Sequence, residues 1–255
     1  MNILAEIVEK LRPRLDERKR ALPMQELLRL AEAAPSRPCF TAAFQGSGLH
    51  VIAELKMASP SKGRIRESLD VPSLASELAL NGASALSILT EPNYFLGREE
   101  NLSLAAKAVS LPLLRKDFIF DEYQIAEAKQ LGASCILLIA AMLPEERFAQ
   151  LLEYAHSLGL QVLGEAHTEE ELAIAVAADL VGINARDLHT FKTSLERSAD
   201  LLRLIPKEKT AIAESAVRTR AEMEMLAAAG ANGFLIGETL MRAEHPGLKL
   251  KELLQ

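Results

Sequence analysis

Several lysines and carboxylates in this sequence stand at the ends of short apolar runs, where such groups can do acid–base work. Glu54 and Lys56 close Val51-Ile-Ala-Glu-Leu-Lys56, and Lys116 follows Leu113-Leu-Arg115. Glu165 ends Gln161-Val-Leu-Gly-Glu165, Asn184 ends Leu180-Val-Gly-Ile-Asn184 with Arg186 just beyond, and Glu214 ends Thr210-Ala-Ile-Ala-Glu214. Amines and carboxylates interleaved in one confined site are how an enzyme obtains a general acid and a general base with separated pKa values. Residues two apart in a strand share a face, so Glu54 and Lys56 point the same way. A carboxylate inside an apolar run is expensive to bury without a partner. Lys56 supplies one, and a purely structural ion pair is the competing reading of these two. Lys116, between Arg115 and Asp117, reads by itself equally as part of a charged loop.

The elements that must position these groups alternate regularly. Eight candidate strands cover 51–56, 85–89, 111–116, 135–139, 161–165, 180–184, 210–214 and 233–236, and their starts lie 34, 26, 24, 26, 19, 30 and 23 residues apart. Each interval holds one helix and two loops. Asn81-Gly82-Ala83, Leu131-Gly132-Ala133 and Ala229-Gly230-Ala231 fall where a helix ends before the next strand, and glycine there takes the left-handed cap conformation cheaply. Eight such units in about 200 residues point to an α/β fold of the (β/α)8 barrel (TIM barrel) type. The alternative, an open doubly wound sheet, calls for a glycine-rich fingerprint after the first strand. Met57-Ala-Ser-Pro-Ser-Lys-Gly63 has one glycine and no such pattern. Residues 1–48 read as an N-terminal helical extension. Leu4, Ile7, Val8, Leu11 and Leu15 sit at helical spacing, a second helix covers 23–33, and Pro35, Pro38, Gly46 and Gly48 then break the pattern. With no linker in view, 1–255 is expected to form one barrel domain carrying that extension.

A barrel works at the C-terminal ends of its strands, so Glu54, Lys56, Lys116, Glu165, Asn184 and Glu214 are expected to converge on one face. The loops after strands seven and eight often hold phosphate in such barrels. Here they read Glu214-Ser215-Ala216 and Ile236-Gly237-Glu238-Thr239, the latter leading into a short helix over 239–242. The five histidines show no metal-ligand spacing, and His167 is expected at the rim or in the core. Cys39 and Cys135 form no disulfide framework, and Cys135 reads as a small core residue.

Composition narrows the classes. The 255 residues are 49% hydrophobic and 25% charged, with a formal net charge of −6, which argues against a nucleic-acid surface. The longest apolar stretch, near 135–142, is too short to span a bilayer, and Glu6 and Glu9 lie where a signal peptide would be basic. A cytoplasmic protein with reduced cysteines, no nucleic acid partner and no membrane partner is expected.

The run Val51-Ile-Ala-Glu-Leu-Lys-Met-Ala-Ser-Pro-Ser-Lys-Gly63 closely resembles the signature of the indole-3-glycerol phosphate synthase family, barrels of the tryptophan pathway. Similar phrases continue in register at Ser87-Ile-Leu-Thr-Glu-Pro-Asn-Tyr-Phe95, Leu114-Arg-Lys-Asp-Phe118, Gly182-Ile-Asn-Ala-Arg-Asp-Leu188, Ala213-Glu-Ser215 and Leu235-Ile-Gly-Glu-Thr-Leu-Met-Arg242. The resemblance covers about residues 50–245. It implies ring closure of 1-(2-carboxyphenylamino)-1-deoxyribulose 5-phosphate with loss of carbon dioxide and water. It implies no metal and no cofactor, a small phosphorylated substrate as partner, and a monomer or weak homodimer. It places Lys116 as the general acid on the substrate carbonyl, Lys56 at the substrate carboxylate, and Glu165 as the base for the ring N–H proton. By the same resemblance Glu54 and Glu214 orient the lysines, Asn184 and Arg186 bind substrate, and Ser59, Ser215, Ala216, Gly237 and Glu238 belong to the phosphate segments. Phe95, Phe118 and Leu188 would form the slot for the aromatic ring. The chain departs from the family at Ala216, where glycine is usual, at Ala185, where a second asparagine is common, and at Gly164, where a bulkier residue precedes the base. Phosphoribosylanthranilate isomerase, a related barrel, uses a cysteine that strand one does not offer. A non-catalytic phosphate-binding barrel would not need the four charged residues Glu54, Lys56, Lys116 and Glu165.

Overall fold

A computed structural model of the chain describes residues 3–187 and 191–255. Eight strands, β1 (His50–Leu55), β2 (Ala85–Leu89), β3 (Leu113–Lys116), β4 (Cys135–Ile139), β5 (Gln161–Ala166), β6 (Leu180–Asn184), β7 (Thr210–Glu214) and β8 (Gly233–Ile236), pair in chain order. All the pairings are parallel, and β1 pairs with both β2 and β8, which closes the barrel. The doubly wound alternative is thereby excluded.

Strand alternation divides the apolar residues into two sets. Ile52, Leu114, Leu137, Leu163, Leu180, Ile212 and Leu235 pack together inside the barrel. Val51, Ala53, Leu86, Ile136, Val162, Val181, Ala213 and Phe234 point outward into the layer shared with the helices. Being buried on both faces, the strands read as near-continuous apolar runs. A polar residue at an inward position near a strand's C-terminal end therefore stands out against this background.

The strands are separated by α3 (Val71–Leu80), α4 (Glu99–Ala108), α5 (Glu122–Gln130), α6 (Glu145–Ser157), α7 (Glu169–Ala175), α8 (Leu195–Leu202) and α9 (Arg220–Ala228); α10 (Glu238–Met241) and α11 (Pro246–Leu254) follow β8. Asp70, Asp121, Thr168, Ser194 and Thr219 cap five of these helices by accepting a backbone N–H of the first turn. Gly82, Gly132 and Gly230 have φ of 100°, 93° and 115°, the left-handed conformation expected of the three Gly-Ala phrases.

Element edges differ from the sequence reading in small ways. β3 begins at Leu113 because Pro112 has no N–H for a ladder. Lys56 lies just past β1, and the segment after it, to which the sequence reading assigns no element, forms a short antiparallel hairpin, Ala58–Ser59 with Gly63–Arg64. The last short helix begins at Glu238 and is only four residues long.

The extension comprises α1 (Ile3–Ala21), α2 (Met24–Ala33) and a 3-10 turn at Thr41–Phe44. Phe40 and Phe44 close the N-terminal end of the barrel, and Phe44 fills the space that a Cβ at Gly233 would need. Gln161, the first residue of β5, fixes this turn by accepting from Phe40 N and Thr41 N at 2.6 and 3.0 Å. At the opposite end Leu4 and Ile7 of α1 reach the cavity described below.

Arg115, placed by the sequence in strand three with no role assigned, is fully buried on the outer face of β3. Its guanidinium lies 3.0 Å from Asp117 Oδ2 and 2.8 Å from Glu127 Oε2, and it donates to Thr90 Oγ1 and to the Gln124 carbonyl. Glu127 also meets Arg18 of α1 at 3.0 Å, so this network ties the extension to the strand carrying Lys116. Breaking such a buried pair by removing one partner costs roughly 3–5 kcal/mol. Arg115→Leu should lower the unfolding free energy by that amount in urea titration; a loss below about 1 kcal/mol would contradict the assigned role.

Candidate active site

A cavity of about 780 Å³ opens at the C-terminal ends of the strands. Its walls include Glu54, Lys56, Ser59, Phe95, Lys116, Phe118, Glu165, Asn184, Arg186, Glu214, Ser215, Ala216, Gly237 and Glu238. Leu188, expected beside the two phenylalanines, lies outside the described residues. The barrel thus gathers into one hollow side chains from opposite ends of its sequence, Glu54 and Glu238 among them, 184 positions apart.

Lys116 is the centre. Its Nζ donates to Glu165 Oε2 at 2.8 Å and to Glu214 Oε2 at 2.5 Å. Glu165 Oε1 accepts from Asn184 Nδ2 at 3.1 Å. Across the barrel mouth, at the end of β1, Lys56 Nζ lies 2.6 Å from Glu54 Oε1. The ion pair inferred for strand one is present, and it lines the cavity.

One ammonium shared by two buried carboxylates drives their proton affinities apart. Burial would raise Glu165, but the Lys116 ammonium, His167 and the bond from Asn184 outweigh it and bring its carboxyl down to about 2. Burial raises Glu214, Lys116 offsets this only in part, and the neighbouring Glu165 charge adds to it, which pushes Glu214 up to about 8. Burial would lower Lys116, yet Glu165, Glu214 and Glu54 together raise it well above an ordinary lysine. At neutral pH the trio is an ammonium, a carboxylate and a neutral carboxyl. Glu214 Oε1 is buried without a hydrogen-bond partner, a position a neutral carboxyl tolerates better than a carboxylate.

Two glycines make room for these charges. A Cβ at Gly182 would collide with Glu214 Oε1, and one at Gly237 would collide with Glu54 and come within 3.0 Å of Lys56 Nζ. Gly164, beside Glu165 in sequence, faces the other way. A Cβ there would lie 2.8 Å from the Ala175 carbonyl, so its small size serves the close approach of α7 and leaves Glu165 in place.

The apolar wall was only partly legible. Phe95 and Phe118 face each other with centroids 6.0 Å apart. Leu137, Ile139 and Ile3, Leu4 and Ile7 of α1 complete it. The stripe on α1 looks like any core-facing stripe in sequence, so nothing in its spacing assigns it to a cavity. Glu91 was quoted only within a phrase, but its buried carboxylate accepts from the N–H groups of Asn93, Tyr94 and Phe95 at 2.7–3.0 Å and so sets the loop that presents Phe95. Lys62, Arg218 and Arg242 add positive charge to the walls. His167 is buried behind Glu165, 3.4 Å away through Nε2. Its legible signal was the Thr168…Glu171 spacing, which caps α7 and returns the Glu171 carboxylate to His167.

Ser215 and Ala216 both have positive φ, 67° and 62°. Ala216 therefore carries strain that glycine would not, about 1–2 kcal/mol. Glycine also adds freedom to the unfolded chain, which returns roughly 0.4–1 kcal/mol. Ala216→Gly should raise stability by up to about 1 kcal/mol in urea unfolding. A destabilisation beyond about 1 kcal/mol would show that the left-handed turn is not the relaxed geometry here.

A family model described as indole-3-glycerol phosphate synthase matches residues 4–253. The chain is 40% identical over 266 residues to the indole-3-glycerol phosphate synthase of Lachnoclostridium phytofermentans, covering 98% of each chain. It is 41% identical over 254 residues to that of Alkaliphilus metalliredigens, covering 98% of this chain and 97% of the relative. Among solved structures, a mutant tryptophan synthase alpha-subunit from Pyrococcus furiosus superposes with a TM-score of 0.64 at 17% identity, over 82% of this chain and 99% of that one, a likeness of fold alone. The chain belongs to the indole-3-glycerol phosphate synthase family, carboxy-lyases of tryptophan biosynthesis.

Proposed function

We propose that this chain closes the ring of 1-(2-carboxyphenylamino)-1-deoxyribulose 5-phosphate, releasing carbon dioxide and water, with Lys116 as acid and Glu165 as base. The observation that carries this reading is the Lys116 ammonium held between a low-pKa and a high-pKa carboxyl at the floor of a cavity with one apolar wall. Titratable groups whose environments push them apart mark acid and base assignments.

The aromatic carbon bearing the carboxylate attacks the substrate carbonyl carbon. Lys116 gives a proton to the oxygen as negative charge develops there. An alkoxide is a stronger base than an amine, so the transfer runs downhill even from a lysine of raised pKa. Phe95 and Phe118 hold the ring in the apolar slot, and Lys56, charge-balanced by Glu54, meets the substrate carboxylate. That group leaves as carbon dioxide, and its electron pair restores the aromatic ring. Dehydration then needs an acid at the hydroxyl, work that Lys56 shares; Glu165 accepts the ring N–H proton as the hydroxyl leaves as water, and a shift of one proton from the adjacent ring carbon to nitrogen completes the indole. Asn184 keeps Glu165 oriented. Ser59, Ser215, Ala216, Gly237 and Glu238 border the phosphate, with Arg186 and Lys62 supplying the cationic rim. The partner is that small phosphorylated molecule, and the cytoplasm is where we place the reaction. Among the described residues no helix is long and apolar enough to cross a membrane.

The chain has no tryptophan, so an indole product is read against a dark background. Adding the substrate should produce indole absorbance and fluorescence together with one equivalent of carbon dioxide; substrate left unchanged, or consumed without indole, would overturn the reading. Lys116→Ala should lower kcat by at least about a hundredfold, the range of a lost general acid, while substrate affinity stays within about threefold. Near-normal turnover would remove Lys116 from the acid role.

A further inference from the structure

His167 takes no part in the chemistry above, yet it is buried against the proposed base. Its Nε2 lies 3.4 Å from Glu165 Oε1, has no hydrogen-bond partner and is shut off from solvent. Its Nδ1 lies 3.0 Å from Glu171 Oε2, and the same oxygen accepts from His167 N at 2.7 Å. Thr168 caps α7 by accepting from Glu171 N, so the helix start fixes Glu171 and Glu171 fixes the ring. The imidazole is outside the cavity lining and reaches Glu165 from behind.

We propose that His167 is a positioning residue whose imidazolium, oriented by Glu171, keeps Glu165 ionised during the interval in which Lys116 has given up its proton. The proposal rests on the acid and base roles assigned above. Once Lys116 passes a proton from Nζ to the substrate oxygen, Glu165 and Glu214 lose the ammonium between them. A buried carboxylate without a cation takes up a proton, and Glu165 would then be unable to accept the ring proton. A second cation 3.4 Å away prevents this. No bond to His167 forms or breaks, and the ring keeps both of its protons throughout. The groups facing it are Glu165 from β5, Glu171 from α7 and Glu214 from β7, with Lys116 from β3 on the far side of Glu165. Burial would lower the imidazole, but the Glu171 bond and the Glu165 charge outweigh it, so the ring holds its proton to higher pH than an ordinary histidine.

The test is the pH profile of kcat for the wild type, His167→Asn and Glu171→Gln, joined to a 15N NMR titration of the His167 ring in the free protein. Removing an opposite charge at this distance raises a carboxyl by about one to three units. His167→Asn should therefore move the acid limb of kcat up by about one unit or more, with KM changed less than about threefold. Glu171→Gln keeps the ring but should move the alkaline limb down, because the ring then loses its proton earlier. A loss of kcat by the same factor at every pH in His167→Asn, or an unchanged profile, would overturn the proposal. The NMR arm needs no substrate: a ring titrating at or below about 6.5 in the wild type overturns the proposal even if the parent activity is sound. A ring titrating above that value in a protein that makes no indole would instead locate the failure in the parent reading.

Discussion

A single ammonium meeting two buried carboxylates sets the terms for the rest of the molecule. Lys116, Glu165 and Glu214 come from three different strands; the two carboxylates are buried, and the half-buried ammonium between them faces the cavity. Two ionised carboxylates and one ammonium would leave a net charge in a low-dielectric interior. The pocket resolves this by keeping Glu214 protonated at neutral pH and Glu165 ionised. The arrangement separates a proton donor from a proton acceptor within one hydrogen-bonded group.

The fold serves that cluster in detail. Strand alternation turns Lys116, Glu165 and Glu214 inward above the apolar layers of the barrel. Gly182 and Gly237 leave the space into which Glu214 and the Glu54–Lys56 pair fit. On the outer face of β3 the neighbouring Arg115 anchors the strand through Asp117 and Glu127. The extension contributes at both ends: Phe44 fills the bottom, while Ile7 helps wall the cavity at the top. The acidic surface and the basic cavity are then compatible. The net charge of −6 belongs to the chain as a whole, and Lys56, Lys62, Arg186 and Arg218 line the cavity in which we propose the phosphorylated substrate binds.

Sequence made the barrel legible because each strand is a short apolar run and three of the helices end on a Gly-Ala phrase. Glu54, Lys116, Glu165, Asn184 and Glu214 stood out because a polar group ending such a run is conspicuous. What stayed hidden depends on three-dimensional neighbours. Arg115 and Lys116 are adjacent and both basic, and only the direction of the pleat sends one into a structural network and the other into the cavity. Ala216 stood out in sequence as a departure from glycine, but only the backbone shows that it sits in a left-handed conformation. Gly164 is a departure right beside the base in sequence, but its missing side chain faces α7. The apolar stripe of α1 carries no mark that separates a cavity wall from a core.

The charge state of Lys116 is the most direct check on this arrangement, and it can be read without substrate. In protein labelled with 15N at the lysine side chains, the Lys116 Nζ resonance should still report an ammonium at pH 10.5, where an ordinary lysine is half deprotonated. A Lys116 signal at or beyond its midpoint by that pH would contradict the shared-ammonium cluster on which the acid and base assignments stand.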